Sequence, residues 1–276
     1  MKRILTVQDI SCIGRCSLTV ALPILSAMGL ETAILPTAVL STHTMFSGFT
    51  FRDLTCDLEN ILNHWKKEEF SFSTVYTGYL GSIEQIQIVR SIFEYYKKTG
   101  ACCIADPAMG DYGKLYTGFD MNFADQMAKL CGCADIIVPN MTEAALMLGV
   151  DYRPDGYDEV YIQDLLKRLC GLGTKKAVLT GVSFHDSELG AMAYDSETDT
   201  FHAYFNEKLP VSFHGTGDCF ASCLSGALTK GADLDKALQT SVDFIVECLR
   251  KTMADPEHRN YGVNFEEALP ILMNQK

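Results

Sequence analysis

Short apolar runs alternate along this chain with longer stretches whose apolar residues recur every three or four positions. The runs at 4–8, 73–77, 101–105, 135–138 and 177–180 lack a period of two and read as strands buried on both faces. Another strand begins at 32–35. Between them, 17–28, 54–65, 84–98, 121–130, 142–148 and 161–172 read as helices. Residues 84–98 are strongly amphipathic and stop at Gly100, and 17–28 closes at Gly29. Strand and helix alternating in this order predict an α/β fold, a mainly parallel central sheet with helices on both faces. Residues 190–205 depart from the pattern. There, 191–195 and 200–205 flank the turn-like 196–199 and predict an antiparallel edge hairpin. Residues 40–53 form a polar and aromatic loop. Helices from Cys219, Asp233 and Phe265 complete the chain. No low-complexity linker, repeat or boundary interrupts it, so a single domain over 1–276 is expected.

Composition narrows the function. With 276 residues, 47% of them hydrophobic, the chain can bury a large core. A formal charge of −12 argues against nucleic acid and an acidic membrane surface as partners. A nucleotide remains possible, because backbone N–H groups and a metal ion can hold phosphates on an acidic protein. The opening apolar run is too short for a signal peptide and no run is long enough to span a bilayer. The 11 cysteines are scattered without zinc-type spacing and are expected to be reduced thiols of a cytoplasmic protein.

The chemistry gathers where strands end. Gly215-Thr216-Gly217-Asp218 runs straight into an apolar helix starting at about Gly217, with Phe220, Leu224, Ala227 and Leu228 on its buried face. Two glycines allow a tight bend and close approach to a ligand. The helix N-terminus offers free N–H groups to an anion, and Asp218 in the first turn can take a proton from an attacking hydroxyl. An aspartate there is equally a favourable helix starter. Polar residues also follow the other strands: Asp9, Thr77-Gly78-Tyr79, Asp106 with Asp111, Asn140 with Glu143, and Thr180-Gly181. Asp106 before Pro107 can be a turn former, and Asn140 and Glu143 a cap and capping-box pair at a mostly solvated helix start. Taken together, several carboxylates and one anion hole suit metal-assisted phosphoryl transfer. Neither a P-loop nor a protein-kinase motif is present.

The order of a TGY turn, DPAMGD, DIIVPNMTEA, LTG and GTGD resembles the ribokinase-like small-molecule kinases, and within them the pyridoxal kinase family. The match runs from about Ile4 to the helix after Asp218. The resemblance implies a ribokinase-like fold and ATP-dependent phosphorylation of the 5′-hydroxymethyl group of a vitamin B6 vitamer. It makes Asp218 the base and the N–H groups of Gly215, Thr216 and Gly217 the anion hole. Asp106, Asn140 and Glu143 would position the magnesium of MgATP, with Asp106 and Glu143 as its carboxylates. Asp111, Thr180 and Gly181 would lie around the phosphates. Ser41-Thr42-His43-Thr44 matches the family's SNHT, which would bring His43, Thr44 and Tyr79 to the pyridine ring. The resemblance also implies a homodimer and leaves room for a monovalent cation such as K⁺.

Two departures bear on the vitamer. Val7-Gln8-Asp9 stands where the family has IQS, and after DPAMGD an aromatic position near Tyr116 replaces a cysteine of some relatives. Asp9, ending the first strand, would face the substrate and favour a cationic partner; alternatively it caps a helix beginning near Cys12. The runner-up is a hydroxymethylpyrimidine or phosphomethylpyrimidine kinase of the same fold, whose members usually carry cysteine at the Asp218 position and an SGGAG segment. A non-catalytic vitamer- or nucleotide-binding protein is the remaining class. Phe46, Phe49 and Phe51, spaced by small and polar residues, are expected to close partly over substrate.

Overall fold

A computed structural model of the chain describes residues 1–273. Inside the sheet, two strands from one edge, lies β1 (Arg3–Ser11), paired in parallel with β2 (Glu31–Leu40) on one side and β4 (Thr74–Thr77) on the other. Beyond β4 the parallel sheet continues through β5 (Cys102–Ala105), β8 (Ile136–Ile137) and β9 (Lys176–Val182). An antiparallel hairpin of β10 (Glu188–Asp195) and β11 (Thr200–Glu207) forms one edge, and β3 (Phe51–Asp53), antiparallel to β2, forms the other. The order is β11-β10-β9-β8-β5-β4-β1-β2-β3. A separate two-stranded ribbon joins β6 (Gly110–Asp111) to β7 (Lys114–Leu115).

Helices cover both faces. On one lie α2 (Thr55–Lys67), α3 (Ile83–Lys98), α4 (Met121–Cys131), α5 (Met141–Leu148) and α6 (Glu159–Cys170). On the other lie α1 (Leu18–Ala27), α7 (Thr216–Lys230), α8 (Leu234–Ala254) and the short α9 (Phe265–Ala268) and α10 (Pro270–Met273). Neighbouring residues of one strand enter opposite cores. Leu5 and Val75 pack on the first helical layer, Ile4 and Tyr76 on the second. That explains the strands' unbroken apolar runs, since both faces are buried and each buried large side chain contributes about 1.5–3 kcal/mol.

The α/β architecture and the edge hairpin match the sequence reading; several boundaries do not. β1 does not end before Asp9 but runs on to Ser11, and the register shifts between Gln8 and Ile10. Asp9 therefore sits at a bulge within the strand, which sequence periodicity does not reveal. No helix begins near Cys12; α1 starts at Leu18. The 40–53 segment is not all loop, because Phe51–Asp53 adds the edge strand β3. β9 carries through Gly181 to Val182. Asp111 stands on the small ribbon rather than at a strand end of the main sheet. α7 begins at Thr216, ahead of Cys219.

The chain leaves β1 for β2 on one side and returns as β4 on the other. Such a reversal opens a crevice at the carboxyl ends of the strands. Register aligns those ends: Thr77 pairs with Ala105, Ala105 with Ile137, and Asn140 bridges Thr180.

Candidate active site

Gly215 caps α7 in the left-handed region, at φ 79°. A Cβ there would lie 2.0 Å from the Arg15 carbonyl oxygen, so the turn requires glycine on two counts. Thr216 and Gly217 then open the helix, and a Cβ on Gly217 would meet nothing within 4 Å. The helix N-terminus is thus open to a ligand, with unpaired N–H groups and the positive end of the dipole. Asp218 lies in this first turn. Burial pushes its carboxyl up to about 7, opposed by a hydrogen bond from the Ser17 backbone N–H and assisted by the charge of Asp9. A carboxyl poised near neutral pH suits a general base.

Asp106 follows β5 and is buried. Burial raises its carboxyl well above the usual range, and the Glu143 and Asp218 charges raise it further. Glu143 is not at a solvated helix start: it is 2% exposed. Its Oε2 accepts from the Asn140 backbone N–H at 2.9 Å and its Oε1 from the Met109 backbone N–H at 3.1 Å. Asn140 Oδ1 in turn accepts from the Glu143 N–H at 2.9 Å, completing a capping box on α5. Asn140 Nδ2 donates to the Gly110 carbonyl at 2.9 Å. The cap reading of this pair is thus correct as geometry, and it fixes a carboxyl beside Asp106. Burial also raises the Glu143 carboxyl.

The ribbon holding Asp111 turns through Tyr112 at φ 50° and Gly113 at φ 74°, two positive values in a two-residue hairpin loop. The Tyr112 and Ser212 hydroxyls lie 2.9 Å apart, which ties the ribbon to the loop before α7. Thr180 Oγ1 donates to the Pro139 carbonyl at 3.4 Å, and Gly181 takes φ 74°.

One cavity of about 490 Å³ gathers the expected catalytic and nucleotide-side residues. Asp106, Asp111, Asn140 and Glu143 line it, as do Thr180, Gly181 and Gly215 to Asp218. Leu189, Leu209, Val211, Val242, Val246 and Leu249 wall another part of it. These aliphatic residues come from distant stretches, and nothing in the sequence marked them as one wall.

The expected ring-side residues do not line this cavity. Asp9 is 4% exposed, accepts from the Ser11 hydroxyl at 3.2 Å, and carries a carboxyl raised by burial. After burial, its charge raises both the Asp218 carboxyl and the Tyr79 hydroxyl. The Tyr79 ring stacks on Phe119 at 5.7 Å. The His43 ring lies 5.4 Å from that of His214, tilted at 45°; His214 does line the cavity, and Thr44 is exposed in the next turn. Sequence reasoning missed Ser17 and His214. Ser17 has φ 50°, rare for a non-glycine residue, and its hydroxyl and N–H serve Asp9 and Asp218. His214 directly precedes the glycine turn, and that adjacency was its one signal.

A family model described as phosphomethylpyrimidine kinase matches residues 58–264. A pyridoxal kinase of Arabidopsis thaliana is 26% identical over 94% of this chain and 85% of its own. The crystal structure of a phosphomethylpyrimidine kinase homologue from Bacteroides thetaiotaomicron, in an orthorhombic form with pyridoxal, superposes with a TM-score of 0.92 at 39% identity, covering 98% of this chain and 95% of that one. Pyridoxal kinase from Lactobacillus plantarum superposes with a TM-score of 0.89 at 30% identity, over 99% and 97%.

Proposed function

Since this chain belongs to the phosphomethylpyrimidine kinase family, we propose that it transfers the γ-phosphoryl group of MgATP to the 5′-hydroxymethyl group of a vitamin B6 vitamer. The observation carrying this reading is the position of Asp218. It sits in the first turn of a helix whose N-terminus opens into the same cavity as Asp106 and Glu143. The similar chain crystallised with pyridoxal and the pyridoxal kinase relatives favour the B6 vitamer.

In this reading Asp218 takes the proton of the substrate hydroxyl as its oxygen attacks the γ-phosphorus. The N–H groups of Thr216 and Gly217 meet the charge gathering on the transferred oxygens. Gly215 makes the turn that exposes them. The aliphatic wall packs against the nucleobase, while Thr180 and Gly181 approach the phosphates.

The donor set fits magnesium. Burial raises the Asp106 and Glu143 carboxyls, the Glu143 charge raises Asp106 further, and a divalent cation would favour their ionised forms. Glu143 already accepts two backbone N–H groups, so it would act through water, as Mg²⁺ prefers. Bound there, the ion would neutralise phosphate charge. No group of three or more metal-binding side chains occurs among the described residues, which suits an ion completed by phosphate and water. His43, Tyr79 and Asp9 would approach the ring. The reading extends to a cytoplasmic homodimer and a K⁺ requirement, which localisation, sedimentation and activity with and without K⁺ would test.

The test is incubation with MgATP and each of pyridoxal, pyridoxine, pyridoxamine and hydroxymethylpyrimidine, with phosphorylated products resolved by chromatography. Phosphorylation of a B6 vitamer supports the reading. Turnover of hydroxymethylpyrimidine alone would favour the activity that gives the family its description.

A further inference from the structure

The cavity has an uneven charge. Asp106, Asp111, Glu143, Glu207 and Asp218 all line it, and among the described residues no lysine or arginine does. A nucleotide triphosphate brings about four more negative charges. The single basic side chain lining the cavity among those residues is His214, next to the Gly215 turn. Resting on the kinase reading above, we propose that His214 is the side-chain cation that binds the nucleotide's phosphate chain.

His214 has a second imidazole beside it. His43 faces it across 5.4 Å. The Met45 backbone N–H donates to His43 Nδ1 at 3.0 Å, so that nitrogen carries no proton. Burial and then the His214 charge hold the His43 titration low. The two rings are tilted at 45° to one another. Asp111 lines the same cavity. Burial raises its carboxyl, while the His214 charge pulls it back down. The Tyr112–Ser212 contact at 2.9 Å joins the segments bearing Asp111 and His214. The other titratable groups lining the cavity are the acids named above together with Tyr112 and Tyr116. On the outer side, His258 packs edge-on against neighbouring Phe213 at 5.5 Å.

The test compares wild type, His214→Gln and His214→Lys by calorimetry with MgATP and with adenosine at pH 6 and pH 8, together with steady-state kinetics. At pH 6, His214→Gln is expected to weaken MgATP binding and raise its KM about tenfold, the worth of one charge-assisted contact, with a smaller change in kcat. Adenosine binding should not change. The advantage of wild type over the Gln variant in MgATP binding should be larger at pH 6 than at pH 8, and the Lys variant should keep that advantage at both. Unchanged MgATP affinity in His214→Gln at pH 6, or an equal loss for adenosine, overturns the assignment. A wild type that binds MgATP in this pattern yet phosphorylates none of the candidate alcohols overturns the kinase reading and leaves His214 as the phosphate ligand.

Discussion

Glu143 Oε1 accepts the backbone N–H of Met109 at 3.1 Å, which ties the helix that Glu143 caps to the segment descending from Asp106. The same carboxyl is both a structural cap and a neighbour of the proposed metal position.

Substituting Glu143→Gln should therefore affect stability and metal dependence together. The amide can accept through one oxygen only, so one of the two backbone N–H groups now paired to Glu143 loses its partner. An unsatisfied buried donor costs about 1–3 kcal/mol. Thermal denaturation should show that loss, and kinetics at varied Mg²⁺ should show a raised requirement. A stability loss with unchanged Mg²⁺ dependence would leave Glu143 as a cap only.

The protein free of ligand should be most stable in mild acid. Folded, Asp218 holds its proton up to about pH 7, whereas the ordinary value is 3.8. Between those values the folded state binds more protons than the unfolded state, so this stabilisation, full below 3.8, is lost as pH rises through about 7. Asp106 and Glu143 are raised and act in the same direction. The Tm should fall between pH 5 and pH 8, Asp218→Asn should shallow the fall, and Mg²⁺ should restore Tm most at the higher pH. A Tm that climbs across this range would contradict the burial of these acids.

Asp9 raises the Asp218 carboxyl by its charge. Asp9→Asn should accordingly move the acid limb of the kcat/KM profile to lower pH. Asp9→Ser, which restores the family's residue, should shift preference from pyridoxamine toward pyridoxal severalfold, if Asp9 meets the ring as well. A displaced limb with an unchanged vitamer ratio would confine Asp9 to tuning Asp218.

The segment after β2 is pinned at both ends. The Ser41 N–H donates to the Thr50 carbonyl at 3.0 Å, and the Thr50 N–H to Ser41 Oγ at 2.8 Å. Between them Phe46 packs on Tyr261 at 5.7 Å while Phe49 is exposed. Phe51, paired in β3 with Leu40, is no longer part of a lid. Amide exchange should be fast at 46–49 in the free protein and slow with a vitamer bound. Equal rates in both states would exclude closure.

The strand ends were legible because parallel buried strands leave short apolar runs, and the polar residues after them had nowhere else to converge. The glycine turn was legible for a similar reason: small residues before an apolar helix constrain the backbone locally. What escaped was non-local or conformational. The bulge at Asp9 depends on pairing with β2, which periodicity within β1 does not encode. The positive φ of Ser17 follows from the approach of α7 and its Asp218, far along the chain. The burial of Glu143 depends on Met109 closing over it. His214 gains meaning only once the fold sets it in one cavity with Asp111, remote in sequence.

The central claim is that Asp218 is the base that activates a vitamer hydroxyl. The most direct test is kcat/KM for pyridoxal with saturating MgATP, from pH 5.5 to 9, in wild type and Asp218→Asn. Wild type should rise with pH and level above about pH 7, where the carboxyl is ionised. Asp218→Asn should bind MgATP normally and turn over about 10²- to 10⁴-fold more slowly, without that limb. Near-normal turnover in Asp218→Asn, with the same pH profile as wild type, would contradict the account.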